Sequence, residues 1–480
     1  MTPVCLLIAI LLPFLAGALL RLLPKLTYRA IQVYTAAATL MTSFLVWALL
    51  LRAPHDALSL LRVSDALSLT LRLDGAGTFF VGIVATLWPL TALYAFSYMQ
   101  KLPNEQSFFG FFTMAYGATL GVGLSGNLLT LLLCNVLLTL TTAPMIRHTG
   151  SEQAKKASRL YLLLIGAGLL LATSAILYLA PYGAAGSFAS GGLLHRSDTL
   201  TQVFFVLGFV GFGANAAIVP LHFWLPNASC APSPVTALLN DVTVANVGVF
   251  AILRLTRCCF DPLLLQGSAA QYAVMSLAML TMLTGAVMAV KEQHWKRRLA
   301  WSTMANISYI LFAISLLTKE GATAGLVHMA FHANVKILAI FCAGAVLHRT
   351  GQELVSRLEG LGAKMPLTFG CFTLASLALI GIPPFSGFFS KWGILVAAAA
   401  TGEWPAYLGA GMILLAALHA AVYMLTTVVR AWFPRKGVLC PEASKVGWRM
   451  AVPMAVLACG IVCCTVFAQP IMDTAARLLD

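Results

Sequence analysis

Charged residues are scarce in this chain of 480 residues, where Asp, Glu, Lys and Arg together make up 10% of the sequence. An average soluble domain carries about 25% charged residues. Hydrophobic residues account for 60% of the chain, so a soluble fold would have too few charges to cover its surface. The shortage of charge therefore excludes an ordinary soluble protein and indicates that lipid is the main solvent of the chain.

Cysteines at the C-x-x-C spacing are also lacking. The chain has 11 cysteines, but none of them forms a C-x-x-C pair. Most lie inside apolar runs, where cysteine packs as a small hydrophobic residue. This spacing provides no framework for iron–sulfur clusters or structural zinc. We therefore expect no cofactor, no metal site and no redox centre in the chain itself.

Acidic residues are the scarcest charged type, and their shortage leaves a formal net charge of +14. No basic stretch interleaved with aromatic residues accompanies this charge, so we do not expect nucleic acid as a partner. Membrane proteins carry excess Lys and Arg in their cytoplasmic loops, and that rule accounts for the same charge.

Long apolar runs recur from one end of the chain to the other. They are continuous rather than alternating, which indicates helices and excludes a β-barrel, because lipid requires every backbone polar group to be paired internally. The sequence predicts an all-α polytopic membrane protein with about fourteen membrane-spanning helices. The predicted spans are 3–23, 30–51, 76–100, 108–126, 128–146, 160–179, 201–219, 234–257, 269–290, 300–317, 321–348, 367–400, 406–429 and 450–468.

Two kinds of feature interrupt this pattern. Residues 52–74 contain DALSLTLRLD, whose alternation of apolar and polar residues predicts a short extramembrane strand or hairpin. Proline-rich sequences break helix 7, at Pro220 and Pro226, and helix 12, at Pro383 and Pro384.

The two proline breaks lie at matching places in the chain and suggest an internal repeat. Helices 4–8 and helices 9–13 would form two five-helix repeats, and an odd number of helices makes the repeats inverted in the membrane, as in many transporters. The predicted division is 1–107 for helices 1–3 and the hairpin, 108–258 for the first repeat, 269–429 for the second repeat, and 430–480 for a cytoplasmic loop and the last helix.

The connections between the predicted helices differ in charge. Placing the N-terminus outside puts most lysines and arginines on the cytoplasmic side, with clusters in 147–159, 291–298 and 430–449. The predicted location is a bacterial inner membrane, with both termini in the periplasm.

The eleventh predicted span contains ionisable residues at a depth where charge is costly. His328, His332 and Lys336 are spaced i, i+4 and i+8, so they share one helical face. Lys391 follows the break GIPPFSGFF, and a broken helix at this depth lines protein or a water-filled cavity. Histidine titrates near neutral pH, and a buried lysine can do so because burial disfavours its charged form. We interpret the four as a proton relay; alternatively, the histidines brace helices and Lys391 reaches the membrane interface.

An aspartate lies in the eighth predicted span, in ALLNDVTVANVGVF. Asp241 is flanked by Asn240 and followed by Asn246. It is either a titrating group, a partner for a buried lysine, or a helix-end residue near water. We include it in the proton relay and keep the alternatives open.

Four sequence blocks resemble a family of membrane proteins: the antiporter-like subunits of respiratory complex I, of multisubunit cation/proton antiporters and of group 4 membrane-bound hydrogenases. The blocks are PLHFWLPNASCAPSPVTALL, KRRLAWSTMANISYILFAI, HMAFHANVKILAIFCAGAVLH and SLALIGIPPFSGFFSKWGIL. The chain is most similar in style to the hydrogenase-type subunits, because it is short and has no long lateral helix after the last span.

The resemblance implies a proton half-channel in each repeat, joined by a central row of charged residues. His328, His332 and Lys336 fall on that central row, and Lys391 falls on the broken helix of the second half-channel. The second repeat therefore matches the pattern of the family.

The first repeat departs from that pattern. Asparagine can hydrogen-bond and hold water, but it cannot carry the charge of a proton. The resemblance therefore implies a degenerate first half-channel, with Asp241 as its one ionisable substitute. The asparagines at or next to the ionisable positions of the family are Asn135, Asn215, Asn240 and Asn246.

The main hypothesis is a proton-translocating subunit of a complex I-like or group 4 hydrogenase-like membrane complex. Its partners would be other membrane subunits, a peripheral soluble module and the lipid bilayer. One alternative is a non-pumping scaffold paralogue in such a complex. Another is the membrane component of a proton-coupled inorganic-carbon uptake system with a zinc carbonic-anhydrase-like partner. The coupling ion, its direction and the assignment to an enzyme complex stay open.

Overall fold

Helices form most of the chain. The computed structural model describes residues 2–52, 57–62, 68–182, 188, 194, 197–435 and 444–479. The elements, in chain order, are α1 (Thr2–Leu22), α2 (Tyr28–Arg52), β1 (Leu58–Arg62), β2 (Ser68–Leu71), α3 (Gly75–Tyr98), α4 (Glu105–Gly123), α5 (Leu128–Ile146), α6 (Glu152–Leu179), α7 (Thr199–Gly213), α8 (Trp224–Ala228), α9 (Ser233–Asp241), α10 (Val244–Arg254), α11 (Pro262–Leu265), α12 (Ala269–Lys291), α13 (Trp295–Ser315), α14 (Lys319–Thr350), α15 (Leu361–Lys364), α16 (Pro366–Ile380), α17 (Ser386–Ala400), α18 (Trp404–Trp432), α19 (Trp448–Val466) and α20 (Ala468–Leu478). Short 3₁₀ turns lie at Met99–Lys101, Ala180–Tyr182 and Val355–Arg357, and a π-helical turn at Leu255–Cys259.

Ten of the described helical segments are long and apolar enough to cross a membrane. The protein is therefore a multi-pass membrane protein. Each predicted span overlaps a helix or a pair of helices, but the number fourteen stays a prediction. The ten segments are Pro3–Leu22, Tyr28–Arg52, Gly75–Tyr98, Leu128–Ile146, Glu152–Tyr182, Ser233–Cys259, Ala269–Lys291, Lys319–Thr350, Trp404–Trp432 and Trp448–Val466.

The segment with alternating apolar and polar residues forms a two-stranded antiparallel sheet. Leu58 of β1 lies opposite Leu71 of β2, and the pairing shifts register between Ser59 and Leu61. Residues 63–67, which join the strands, lie outside the described residues.

The helices that carry the seventh and twelfth predicted spans are interrupted near their prolines. The backbone after α7 passes through turns that contain Pro220. Pro226 lies in the short helix α8, within the interrupted stretch between α7 and α9. Pro383 and Pro384 separate α16 from α17. Proline cannot donate a backbone hydrogen bond, which explains why each helix ends before it.

The eighth predicted span is also broken, which the sequence did not predict. Its two helices, α9 and α10, are separated by Val242 and Thr243. The Thr243 hydroxyl donates to the carbonyl of Leu238 (3.0 Å), and the Asn246 amide donates to the carbonyl of Asp241 (2.6 Å). The Leu238 carbonyl also accepts from the backbone N–H groups of Val242 and Thr243, so the side chain of Thr243 adds to backbone bonds that close the end of α9, and the side chain of Asn246 binds the last carbonyl of that helix. A continuous helix over 234–257 was therefore a wrong expectation.

Helix α14 occupies the centre of the second repeat. It packs against α13, α16, α17, α9 and α19, and 83% of the residues in its most apolar stretch are buried. Because neighbouring helices enclose it, the polar residues of α14 face protein and not lipid. The ionisable side chains of α14 therefore lie between α9, which is part of the broken eighth span, and α17, which is part of the broken twelfth span.

Candidate functional site

Three ionisable residues of α14 form a buried row. His328, His332 and Lys336 have exposed fractions of 2% or less. The imidazole rings of His328 and His332 lie 5.8 Å apart between centroids and are nearly parallel, at 23°. The i, i+4 spacing therefore brings the two rings together on one face, as predicted from the sequence.

Lys391 extends from the second turn of α17 to the end of α16. Its Nζ donates to the carbonyls of Leu379 (2.6 Å) and Ile380 (3.0 Å) and lies 5.2 Å from the centre of the Tyr309 ring. The last carbonyls of a helix have no intrahelical partner, so the break provides the acceptors. Lys391 is buried and does not reach the membrane interface, so that alternative was wrong.

A small cavity connects Lys391 with the two histidines. Lys391, His328, His332 and Asn306 line it together with neighbouring apolar residues, and the centre of a water molecule has about 10 Å³ of free space in it. This volume holds about one water molecule. His328 Nδ1 also lies 2.9 Å from the hydroxyl of Ser390, on α17. The cavity and the hydrogen bond both join α14 to the broken helix.

Lys336 has a partner of the same kind as Lys391. Its Nζ donates to the carbonyl of Leu299 on α13, at 2.7 Å, and the side chain is fully buried. Each buried lysine therefore binds a backbone carbonyl. A carbonyl accepts a hydrogen bond from a neutral amine as well as from an ammonium group.

Asp241 is the last residue of α9 and is fully buried. Its Oδ1 accepts a hydrogen bond from Thr303 of α13 (3.2 Å) and lies 4.0 Å from Nδ1 of His332. The alternative in which Asp241 faces water was therefore wrong. The break after α9 brings this carboxyl to the row of α14.

Two of the asparagines of the first repeat bind each other. Asn215 Nδ2 donates to Asn135 Oδ1 at 2.9 Å, and the reverse contact is 3.4 Å. Both side chains are fully buried. The two positions belong to different helical segments, α5 and the turn after α7, so the structure brings together two residues that the sequence analysis had placed on one degenerate path.

The other two asparagines differ from this pair. Asn246 binds the backbone of Asp241 across the helix break. Asn240 is buried, and neither polar atom of its side chain has a hydrogen-bond partner among the described residues. The described hydrogen bonds therefore do not link the four asparagines into one chain.

A buried ion pair lies in the first half of the molecule, at the end of α10. Arg254 Nη1 lies 2.5 Å from Asp74 Oδ2, and Nη2 binds Oδ1. Asp74 also caps α3 by accepting from the backbone of Gly77 at 2.9 Å. Burial favours the neutral form of Asp74, but the Arg254 charge and hydrogen bonds outweigh it and lower the pKa of this carboxyl.

Four polar residues of the second repeat contact the relay, although the sequence analysis did not select them. Three of them follow one another at intervals of three on α13, inside the block KRRLAWSTMANISYILFAI, and this polar spacing is the signal that could have identified them. The four residues are Thr303, Asn306, Tyr309 and Ser390. Within the part of the chain that the structure describes, no group of three His, Cys, Asp or Glu side chains is placed to hold a metal ion.

Comparison with known proteins identifies a family that matches most of the chain. Residues 125–416 match the family described as "NADH:quinone oxidoreductase/Mrp antiporter, TM". NADH-quinone oxidoreductase subunit N of Desulforudis audaxviator is 30% identical over 414 residues, which cover 82% of this chain and 81% of that protein.

Other relatives are longer than this chain. A probable K⁺/H⁺ antiporter protein of Rhizobium meliloti is 33% identical over 68% of the chain, and the match covers 32% of that protein. Hydrogenase-4 component B of Escherichia coli is 31% identical over 68% of the chain and 50% of its own length. The chain therefore spans a third to a half of these two relatives.

Solved structures share the fold over the whole chain. A chain of the Mrp complex from Dietzia has a TM-score of 0.86 at 20% identity, and the match covers 100% of this chain and 97% of that chain. A chain of respiratory complex I from Thermus thermophilus has a TM-score of 0.82 at 24% identity and covers 99% and 100%. The membrane-bound sulfane sulfur reductase, an archaeal respiratory membrane complex, contains a chain with a TM-score of 0.85 at 23% identity, covering 100% and 96%.

Proposed function

The chain belongs to the NADH:quinone oxidoreductase/Mrp antiporter family of membrane proteins, and we propose that it is a proton-translocating subunit whose relay lies in the second repeat. It would work in a complex I-like or hydrogenase-like assembly, together with other membrane subunits and a peripheral module. The proposal includes fourteen spans in two inverted repeats and both termini in the periplasm.

The observation that carries this proposal is the choice of partners for the two buried lysines. Lys336 and Lys391 bind backbone carbonyls, and among the described residues neither has a carboxylate oxygen within 4 Å. Lys336 also interacts electrostatically with the Asp241 carboxyl at longer range. A lysine locked in an ion pair must leave a buried charge unpaired when it loses its proton. A lysine bound to a carbonyl avoids that penalty, so it can change its charge inside the protein.

The relay would connect these lysines through the histidines. Lys391 exchanges a proton with a water molecule in the shared cavity, which His328 and His332 also line. His332 lies 4.0 Å from Asp241, and Lys336 lies one turn further along α14. A histidine can accept a proton on one ring nitrogen and release it from the other, which allows passage along the row.

We favour protons over sodium as the coupling ion. Lysine and histidine exchange protons, but a protonated lysine has no lone pair for a cation. Sodium is a hard cation of the kind that prefers oxygen ligands, and Asp241 is one carboxylate with a threonine partner.

Apart from Asp241, the first repeat would not carry protons in this proposal. Asn135 and Asn215 donate to and accept from each other, and neither can be charged. The same pair also supports a second candidate function, in which the subunit is a scaffold that does not pump. The hypothesis of a zinc-protein partner stays an untested prediction.

The experiment is proton translocation by the purified complex in proteoliposomes, with Lys391→Ala and Lys336→Ala. We expect each change to lower translocation by about 10²-fold, the usual contribution of a positioned proton-transfer group. Lys155→Ala is a matched control, because Lys155 lies on the surface beside Glu152. Unchanged translocation in both relay variants, with the complex still assembled, would favour the scaffold function.

A further inference from the structure

The relay of the second repeat needs a connection to water that avoids the neutral asparagines of the first. We propose that the second repeat contains its own proton path to the Lys/Arg-rich face, through Asn306, Ser302, Tyr423 and a groove beside Thr426. This inference rests on the proposed function. It assigns an entry route inside one repeat.

The inner end of the path is the cavity beside Lys391. Asn306 lines that cavity with His328 and His332. Its Nδ2 donates to the carbonyl of Ser302 at 2.8 Å, whereas its Oδ1 is buried and has no hydrogen-bond partner among the described residues. A water molecule in the cavity would satisfy this acceptor, because buried polar groups are normally paired.

The middle of the path is a pair of hydroxyl groups. Ser302 Oγ lies 2.6 Å from the hydroxyl of Tyr423, and both side chains are buried. The Tyr423 hydroxyl also interacts with the Asn306 side chain. A hydroxyl both donates and accepts, and either atom of this pair can be the donor. The pair can therefore pass a proton without holding a charge.

The outer end of the path is a polar cluster around Arg298, one turn below Ser302 on α13. The Arg298 guanidinium donates to the Tyr423 carbonyl (3.1 Å) and to the hydroxyls of Thr426 (3.4 Å) and Thr427 (3.2 Å). Arginine keeps its proton in proteins, so Arg298 would position this end of α18 and would not carry the proton.

Thr426 also lines an open groove on the outside of α18. The same groove is lined by Glu359, Arg430 and Arg435. The centres of water molecules have about 670 Å³ of free space in it. The groove lies at the end of α18 that carries Arg430, which the Lys/Arg bias predicts to be cytoplasmic. Because Thr426 belongs both to the lining of the groove and to the Arg298 cluster, water in the groove can contact this cluster.

Proton transfer along this path is balanced at each step. A hydronium ion that enters from the groove gives a proton to the Tyr423 oxygen and becomes water, and the Tyr423 proton moves to the Ser302 oxygen. The Ser302 proton then moves to the water beside Asn306, and from there to a histidine or Lys391. Rotation of the two hydroxyls restores the starting state, so the path needs no other reactant.

Tyr423→Phe tests the path by removing one hydroxyl and keeping the ring. We expect proton translocation in proteoliposomes to fall at least tenfold, and Ser302→Ala to do the same. Because both act on one path, the double variant should lose no more than either single variant. Ser302→Thr, which restores a hydroxyl, should recover most of the translocation.

Tyr161→Phe is the matched control. Tyr161 is also fully buried, and its hydroxyl lies 2.7 Å from Thr142 in the first repeat. Equal losses in Tyr161→Phe and Tyr423→Phe would show a structural effect and overturn the path. Normal translocation in Tyr423→Phe, with loss in Lys391→Ala, would refute the path and keep the proposed function. Normal translocation in both variants would refute the proposed function as well.

Discussion

The segments 108–258 and 269–429, which we propose as two repeats, differ in the partners of their buried polar residues. In the first repeat Asn135 and Asn215 satisfy each other, and the buried Arg254 binds the carboxylate of Asp74. In the second repeat Lys336 and Lys391 bind neutral carbonyls. A closed pair stabilises one state of a protein, whereas a charge with neutral partners can be gained and lost. The difference supports our proposal that the first of these segments is structural and that the second transports protons.

Asp241→Asn would have the largest effect on this comparison, because it removes the carboxyl that joins the first repeat to the row of α14. We expect proton translocation to fall by about 10²-fold, since an amide cannot take up a proton beside His332. The neighbouring change Asn240→Ala is the control and should retain translocation. If Asp241→Asn pumps normally, Asp241 is not a member of the relay.

Asp74→Asn would test whether the ion pair of the first repeat is structural. Removing one partner leaves the charge of the buried Arg254 without compensation, which costs about 3–5 kcal/mol. We expect a lower unfolding temperature in lipid nanodiscs at neutral pH. Asp261→Asn, at the cap of the short helix α11, is the control and should change the unfolding temperature little.

The effect of Asp74→Asn should depend on pH. The pKa of Asp74 is lowered in the folded protein, so its stabilisation is complete above the unfolded value of about 3.9. It is lost as the pH falls through the lower folded value. The difference between wild type and variant should therefore be largest at neutral pH and shrink below about pH 4. A difference that stays constant through this acidic range would contradict the ion-pair explanation.

Asn215→Ala would separate stability from transport in the first repeat. The change leaves Asn135 buried without its partner, at an expected cost of about 1–3 kcal/mol in unfolding free energy. Proton translocation should stay at the wild-type rate. Asn135→Ala should behave alike, and the double variant should lose less than the sum of the two. A selective loss of translocation would show that protons pass through the amide pair.

Ser390→Ala has the smallest expected effect. It removes the hydrogen bond between the Ser390 hydroxyl and Nδ1 of His328, which contributes about 1 kcal/mol, and two longer contacts of that hydroxyl with the carbonyls of Gly387 and Ser386. We expect a decrease in translocation of about fivefold, since the cavity and Lys391 remain. A loss as large as that of Lys391→Ala would instead make Ser390 a member of the relay.

The sequence alone determined the solvent, the helical character of the chain and the row of α14. The scarcity of charge and the apolar runs require helices in lipid, and the spacing of His328, His332 and Lys336 places them on one face because helix geometry is local. The prolines predicted the interruptions near α7 and between α16 and α17 for the same local reason.

Only the tertiary structure decided the partners. The break at Val242 and Thr243 contains no proline or glycine. It is accompanied by side-chain hydrogen bonds to backbone carbonyls at the end of α9. The carbonyl acceptors of the two lysines and the pair of Ser302 with Tyr423 join helices that are separate in sequence. Hydrogen-bond partners depend on packing between helices, and spacing along one helix does not contain that information.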